Sequence, residues 1–458
     1  MNKKIFFIFL FAFLIRLIAL NQSLWLDEAV TANVVKNLDF FEILTKFSPT
    51  DFHPPLYYLF MKLWTNIFGY GEVVLRFPSI IFSLLTGYFV YKIASLFHGF
   101  IAGMLATVFF LFNPLIVYYS QEARMYMMAT FFLTTAIYFF LKLVIASEAK
   151  QSQKKGIATS HLAGLAMTMA FLTFYGSVFL IIPMLIYLIY KKKYSHFIVL
   201  FVIFIVSLLL IFPLFYQQFI NSKIALANVA NWSLVLGKAN IKNLLLIPIK
   251  FSIGRISFEP KWLYWGIAGG WTAFILFQIS NIKYQNHILK FKSLNIFYFL
   301  LTFPLVLGFI VSFWTPLLQY FRFLYLIPIM AILLAKKNTT VYRYTVVIGF
   351  TVFSFIYLLN LQFHREDWKS LVKALPKNMP VYMITSSSDS VKYYNKNILI
   401  NELKDSRIKE SEKEIIVIPY TADIYGFDYQ KILLEKNYRL ADKKTFRGLE
   451  LEFFILNN

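Results

Sequence analysis

The stretch that decides the topology is "HPPLYYLFMKLWTNIFG", residues 53–69. Its apolar part runs for about 15 residues, roughly 22 Å as a helix, which is short for a hydrocarbon core of ~30 Å. If it crossed a membrane, every later loop would change sides. Laid along the surface as an interfacial helix, it leaves a consistent pattern. With the N-terminus in the cytosol, the lysine-rich loops near residues 3–4, 150–155, 191–193, 283–292 and 336–343 all fall on the inner face. That is the positive-inside arrangement.

Working outward, the rest of the chain reads as a polytopic membrane protein. Of 458 residues, 59% are hydrophobic, only 15% are charged and 52 are Phe, and mean hydropathy is +0.62. Apolar runs near 4–20, 76–97, 100–118, 125–146, 161–174, 177–190, 196–215, 261–280, 294–313, 320–335 and 342–360 make about eleven spans. The two near 161–190 are short, hinged at Tyr175-Gly176, and fit either two spans or a hairpin that does not fully cross. The first run follows Asn2-Lys3-Lys4 and lacks a small-residue cleavage site, so it reads as a retained helix. With no Cys, disulfides and thiolate sites are excluded.

Net charge is +22. Residues 361–458 hold 16 Lys or Arg against 14 Asp or Glu, leaving 29 against 9 in residues 1–360. The excess is loop charge that orients helices, not a nucleic-acid footprint. Of the nine acidic residues before 361, only Glu148 falls inside. Asp27, Glu28, Asp39, Glu42, Asp51, Glu72, Glu122 and Glu259 fall outside, so the outer face is expected to hold the chemistry.

From Leu361 the character changes. "DWKSLVKAL" and "YQKILLEKNY" read as helices, and "VYMITSS", "EIIVIPY" and "LELEFFIL" read as strands. The expected organisation is an all-α membrane domain, residues 1–360, and a small extracytoplasmic α/β domain, residues 361–458. The outer loop 21–75 carries interfacial helices, one of them "SLWLDEAVTANVVKNL". Residues 147–160 read as a polar cytosolic loop.

Three clusters on the outer face carry reactive side chains. Asp27 and Glu28 follow Trp25 at the bilayer boundary, where charge is costly without a partner. Helical neighbours point about 100° apart, so one carboxylate can accept a proton while the other orients a substrate or a metal. Helix capping is the structural alternative. In "TDFHPPLYY", Asp51 or His53 can cap the interfacial helix behind Pro54-Pro55, and its free N–H groups form an anion site. In "YYSQEARMY", Arg124 suits bidentate phosphate contact; the alternative is a Glu122 ion pair with Arg124 or Arg76 that holds the turn. Arg76, Lys250, Arg255, Lys261 and Arg322 are further outer cations. Each alone is a snorkelling charge; together with Arg124 they can ring an anionic head group. No Walker loop, GxGxxG or metal-spaced His cluster occurs.

The ordered motifs "LWLDEAVTA", "HPPLYYLFMKLW", "GEVVLRFPSIIFSLLTG" and "FNPLIVYYSQEARMY" resemble the GT-C superfamily of polyprenyl-phosphate-sugar glycosyltransferases. The nearest branch is glycosyltransferase family 39, the protein O-mannosyltransferase-like enzymes related to lipid A aminoarabinose transferases. The likeness is strongest over residues 1–145, and "REDWKSLVKAL" resembles the start of the outer domain of bacterial members. It implies an inverting transfer from a polyprenyl-phosphate sugar to a protein, lipid or glycan acceptor. It implies Asp27 as base and Glu28 as its partner, His53, Arg124, Arg322 and Arg76 near the carrier phosphate, and Glu122 and Tyr126 toward substrate. Some relatives bind a divalent metal and others do not; here Asp27 and Glu122 would be its ligands. No other cofactor is implied. The expected location is a prokaryotic plasma membrane, with the N-terminus cytoplasmic and the C-terminal domain outside. The competing class is a transporter or flippase, which would place ionisable residues near the midplane on paired broken helices.

Overall fold

The computed structural model describes residues 2–148, 153–280, 288–336, 340–404 and 412–457. Lys150, Lys283 and Lys337, assigned above to inner loops, lie outside them. Every expected span coincides with an apolar helix. The bundle comprises α1 (Lys3–Arg16), α4 (Glu72–Leu111), α5 (Pro114–Tyr119), α6 (Tyr126–Glu148), α7 (Gln153–Thr173), α8 (Val178–Tyr190), α9 (Tyr194–Asn228), α11 (Lys261–Ser280), α12 (Ile288–Val311), α13 (Ile327–Ala335) and α14 (Thr340–Leu359). Among the described residues four helices are long and apolar enough to cross a membrane alone: 72–111, 126–145, 194–228 and 340–359. Shorter apolar helices fill the rest of the bundle.

The 40-residue α4 covers two expected spans. It reverses at Gly99, whose φ of +82° is a backbone state that a Cβ disfavours. Of the stretch 147–160, residues 147–148 end α6 and residues 153–160 begin α7, where polarity suggested a loop; the rest lies outside the described residues. Arg16, buried at the end of α1, donates to Ala12 O and Leu111 O at 2.7 Å each and to Ser83 Oγ at 3.0 Å. It ties α1 to α4 through carbonyls, which suits a guanidinium with five donors.

Residues 53–69 form the expected short helix, α3 (Leu56–Phe68), about 20 Å long. Tyr57, Tyr58, Met61 and Thr65 are buried on one face, while Leu63, Ile67 and Phe68 are exposed on the other. It packs on α2 (Leu26–Asn37), the helix that begins with Asp27 and Glu28.

The C-terminal domain is a five-stranded sheet ordered β2-β1-β3-β5-β4. The strands are β1 (Val381–Met383), β2 (Ile400–Glu402), β3 (Glu414–Val417), β4 (Tyr438–Phe446) and β5 (Leu449–Leu456). β2, β1 and β3 run parallel, with Val381 opposite both Ile400 and Ile416; β5 and β4 are antiparallel to their neighbours. Alternation puts Val381, Met383 and Ile416 in one core and Tyr382, Ile415 and Val417 in the other, so both faces are covered. The domain sits on the same end of the bundle as α2. Tyr394 Oη accepts from Leu24 N at 2.9 Å, Asn33 donates to Asp389, and Tyr393 donates to Tyr70 O at 2.9 Å.

Candidate active site

The site is organised by three consecutive residues between α5 and α6. Asn113 starts α5 by accepting from the N–H groups of Leu115 and Ile116, with Pro114 in the first turn. The helix ends at Tyr119 and the chain turns through residues 120–125, where Ser79 Oγ donates to Glu122 O at 2.5 Å. Glu122, Ala123 and Arg124 then reach three different partners. Glu122 Oε1 accepts from Tyr118 Oη at 2.6 Å and from Arg365 Nε and Nη2 at 3.0 and 2.8 Å. The N–H of Ala123 donates to Glu28 Oε1 at 2.7 Å. Arg124 Nη2 lies 3.4 Å from Asp27 Oδ2.

Helical geometry divides the Asp-Glu pair. Glu28 points inward, fully buried, and meets Arg76 fork to fork: Nε to Oε1 at 2.8 Å and Nη2 to Oε2 at 2.5 Å. Arg76 also donates to the carbonyls of Leu20, Gln22 and Ser23 and is 1% exposed. Arg76 was expected near a phosphate and Glu28 toward a substrate; here the two face each other. Their hydrogen-bonding groups are occupied by each other and by the α1–α2 link. Asp27 points outward, and 37% of its side chain is exposed.

The segment before α3 is positioned by α9. Gln218 donates from Nε2 to Ser48 O and His53 O, at 2.6 and 2.9 Å, and its Oε1 accepts from Tyr175 at 2.7 Å. Asn221 donates to Pro49 O at 2.7 Å. Neither Asp51 nor His53 caps α3. Pro55 occupies the cap position without a side-chain bond, and His53 Nδ1 faces Asp51 Oδ1 at 3.4 Å. Burial pushes the Asp51 carboxyl up, but His53 and Arg124 outweigh it and hold it below the usual carboxylate range. Burial likewise opposes the charge of Arg124, and Asp27, Tyr58, Tyr126 and Asp51 together outweigh it, so the guanidinium stays firmly protonated.

A second group of cations lies beside Tyr118. Arg255 Nη1 donates to Tyr118 Oη, and its guanidinium sits 4.7 Å from the ring centre. Lys250, near the end of α10 (Ile241–Ile253), donates to Tyr264 Oη at 3.0 Å. Burial, reinforced by Arg255 and Lys261, lowers the Lys250 pKa to about 8. Among the described residues neither Arg255 nor Lys250 pairs with a carboxylate, whereas exposed Lys261 pairs with Glu259 at 2.6 Å. Arg322, in the turn of 3-10 helix before α13, donates to Pro316 O at 3.3 Å. Tyr126 opens α6 and packs edge-on against Tyr119 and Phe321; its hydroxyl is within electrostatic reach of Arg124, Asp27 and Arg322.

The structure therefore gathers Asp27, Glu122, Arg124, Tyr126 and His53 at one end of the bundle, with Arg322 across Tyr126. As a metal site the acidic residues do not fit. Among the described residues no three His, Asp or Glu converge, and the two expected ligands, Asp27 and Glu122, each face an arginine instead. Sequence reasoning missed Gln218 and Arg365. A polar glutamine in the long apolar run 196–219, and an arginine directly after the last span, are the signals that marked them.

Residues 52–219 match the family model described as dolichyl-phosphate-mannose-protein mannosyltransferase. Comparison with curated proteins found no match. The fold resembles that of ArnT from Cupriavidus metallidurans, solved bound to undecaprenyl phosphate. Identity is 11%, with 98% of this chain and 97% of that one covered and a TM-score of 0.58. It also resembles the oligosaccharyltransferase AglB from Archaeoglobus fulgidus, solved with an inhibitory peptide and a dolichol-phosphate. There identity is 11%, coverage is 98% of this chain and 74% of that one, and the TM-score is 0.50. The chain thus matches this family's model over residues 52–219 and shares the fold of these two membrane enzymes over nearly its whole length.

Proposed function

We propose that the chain transfers a sugar, with inversion, from a polyprenyl-phosphate-linked donor to an acceptor hydroxyl at the extracytoplasmic face of a prokaryotic plasma membrane. The observation that carries this reading is a single exposed carboxylate next to excess positive charge. Glu28 and Glu122 are buried and bonded, while Asp27 remains partly open. Arg255 stands against Tyr118 and Lys250 against Tyr264, neither with a carboxylate of its own among the described residues.

An acceptor hydroxyl has a pKa far above 7, so it needs a base as it attacks. Asp27 takes that proton. The acceptor oxygen bonds to the anomeric carbon as the bond from that carbon to the phosphate oxygen breaks, and the electron pair leaves with the lipid phosphate. Fixed cations stabilise that departing charge without reorganising. Lys250 and Arg255 supply them, with His53 and Arg322 at the rim. Arg124 orients Asp27. The reacting groups collect at one end of the bundle, which favours an enzyme over a transporter with midplane charges.

The test is transfer of labelled sugar by the purified protein in lipid, from a panel of polyprenyl-phosphate sugars. Turnover of at least one donor is expected and names the sugar. Lipid translocation without turnover of any donor would assign the chain to the transporter class.

A further inference from the structure

The linker between the bundle and the C-terminal domain sends Arg365 back into the carboxylate cluster. Two of the three donors to Glu122 Oε1, Nε and Nη2, come from this one side chain, the third being Tyr118 Oη. Its guanidinium lies 3.7 Å from the centre of the Trp25 ring, two residues before Asp27. The sheet domain sets this position. Arg447, in the turn between β4 and β5, donates from Nε to the Arg365 carbonyl at 2.7 Å, and its own carbonyl accepts from Asp367 N at 2.9 Å. Gly448 lets the turn close on Glu366: a Cβ there would stand 3.1 Å from the Glu366 side chain. The hairpin thus grips residues 365, 366 and 367 in succession.

One carboxylate requires one counter-charge, and Glu122 has it in Arg365. Yet Arg255 stands against the same Tyr118 hydroxyl and ring, with Lys250 beyond it. Arg365 also lies over that ring, 5.6 Å from its centre. Arg255 and Arg365 thus share the Tyr118 ring while Glu122 pairs with Arg365, which leaves the half-buried Arg255 without a carboxylate partner among the described residues, unfavourable until an anion joins it. Two guanidinium forks suit the oxygens of a phosphate.

We propose that Arg365 is the second guanidinium of the donor-phosphate site and that the C-terminal domain delivers it, so the site is incomplete without that domain. This rests on the proposed use of a lipid-phosphate donor.

The experiment measures binding of undecaprenyl phosphate, without sugar, to the full-length protein in lipid nanodiscs, with thermal unfolding followed on the same samples. Arg365→Met is expected to weaken binding by roughly tenfold or more, the scale of one lost charge-assisted contact. Arg365→Met leaves Glu122 unpaired, so its folding is expected to suffer. Adding Glu122→Gln removes that burden, and the double variant should regain melting temperature while binding stays weak. Arg447→Ala, which leaves every cleft side chain in place, should weaken binding to a lesser extent. If the double variant bound like the wild type, Arg365 would be only the counter-ion of Glu122 and the inference would be overturned. A wild type that bound no carrier phosphate would overturn the lipid-phosphate reading itself, and this inference with it.

Discussion

Glu28 and Arg76, 48 residues apart in sequence, meet as a buried fork-to-fork pair with both bonds at or below 2.8 Å. Adjacent carboxylates in the first turn of one helix thereby take opposite roles. Glu28 locks α2 onto α4 and onto the Ala123 N–H; Asp27 is left facing the cleft. Removing one partner strands a buried charge, which costs roughly 3–5 kcal/mol. Arg76→Met and Glu28→Gln are therefore expected to lower the melting temperature sharply, and Asp27→Asn, which removes only a 3.4 Å contact of a partly exposed carboxylate with buried Arg124, by less. Thermal unfolding of the three variants in the same detergent checks this.

Lys250 sets a pH dependence. With its pKa lowered to about 8 by burial and by Arg255 and Lys261, it loses charge as pH rises through that value. kcat/KM for the donor, which reports the free enzyme, should then fall above pH about 8, and Lys250→Arg should abolish the fall. Stability has the opposite sign. Between about 8 and the ordinary value of 10.5 the unfolded chain holds more protons than the folded one, so the ligand-free protein gains stability with rising pH there. Donor kinetics and unfolding across pH 7 to 10 measure both slopes.

Gln218 is the support for the loop that carries His53. Gln218→Leu removes the donor to Ser48 O and His53 O. Leaving buried carbonyls unsatisfied costs roughly 1–3 kcal/mol. The expected outcome is a higher donor KM with a lower melting temperature. Tyr175→Phe, which deletes only the bond to Gln218 Oε1, should shift both in the same direction by less. Unchanged KM in Gln218→Leu would detach this loop from donor binding.

Much of the architecture was legible because hydropathy and loop charge are local properties. The length of residues 53–69 identified α3, and every apolar run became a helix. Division of labour within the site was not legible in the same way. That Glu28 turns inward and Asp27 outward follows from helix phase against a neighbour, which composition does not contain. Glu122 was read toward substrate, with an ion pair to Arg124 or Arg76 as the structural alternative; its ion-pair partner is Arg365, 243 residues away. Strand β4, "YRLADKKTF", is charged and mostly exposed. It lacks the alternation that marks a strand, because it is an edge whose lysines face solvent. Only its pairing with β5, Lys443 opposite Glu452 and Thr445 opposite Glu450, makes it one.

Asp27→Asn tests the central claim most directly. The substitution keeps the shape of the side chain and removes its basicity, and the Asp27 side chain has only its 3.4 Å ion pair with Arg124 to lose. Asp27→Asn is predicted to bind undecaprenyl phosphate and to melt only slightly below the wild type, yet to transfer sugar at a rate lower by roughly 10²–10⁴-fold, the contribution of a general base. Wild-type turnover by a folded Asp27→Asn protein would contradict the assignment of Asp27 as the base and the account built on it.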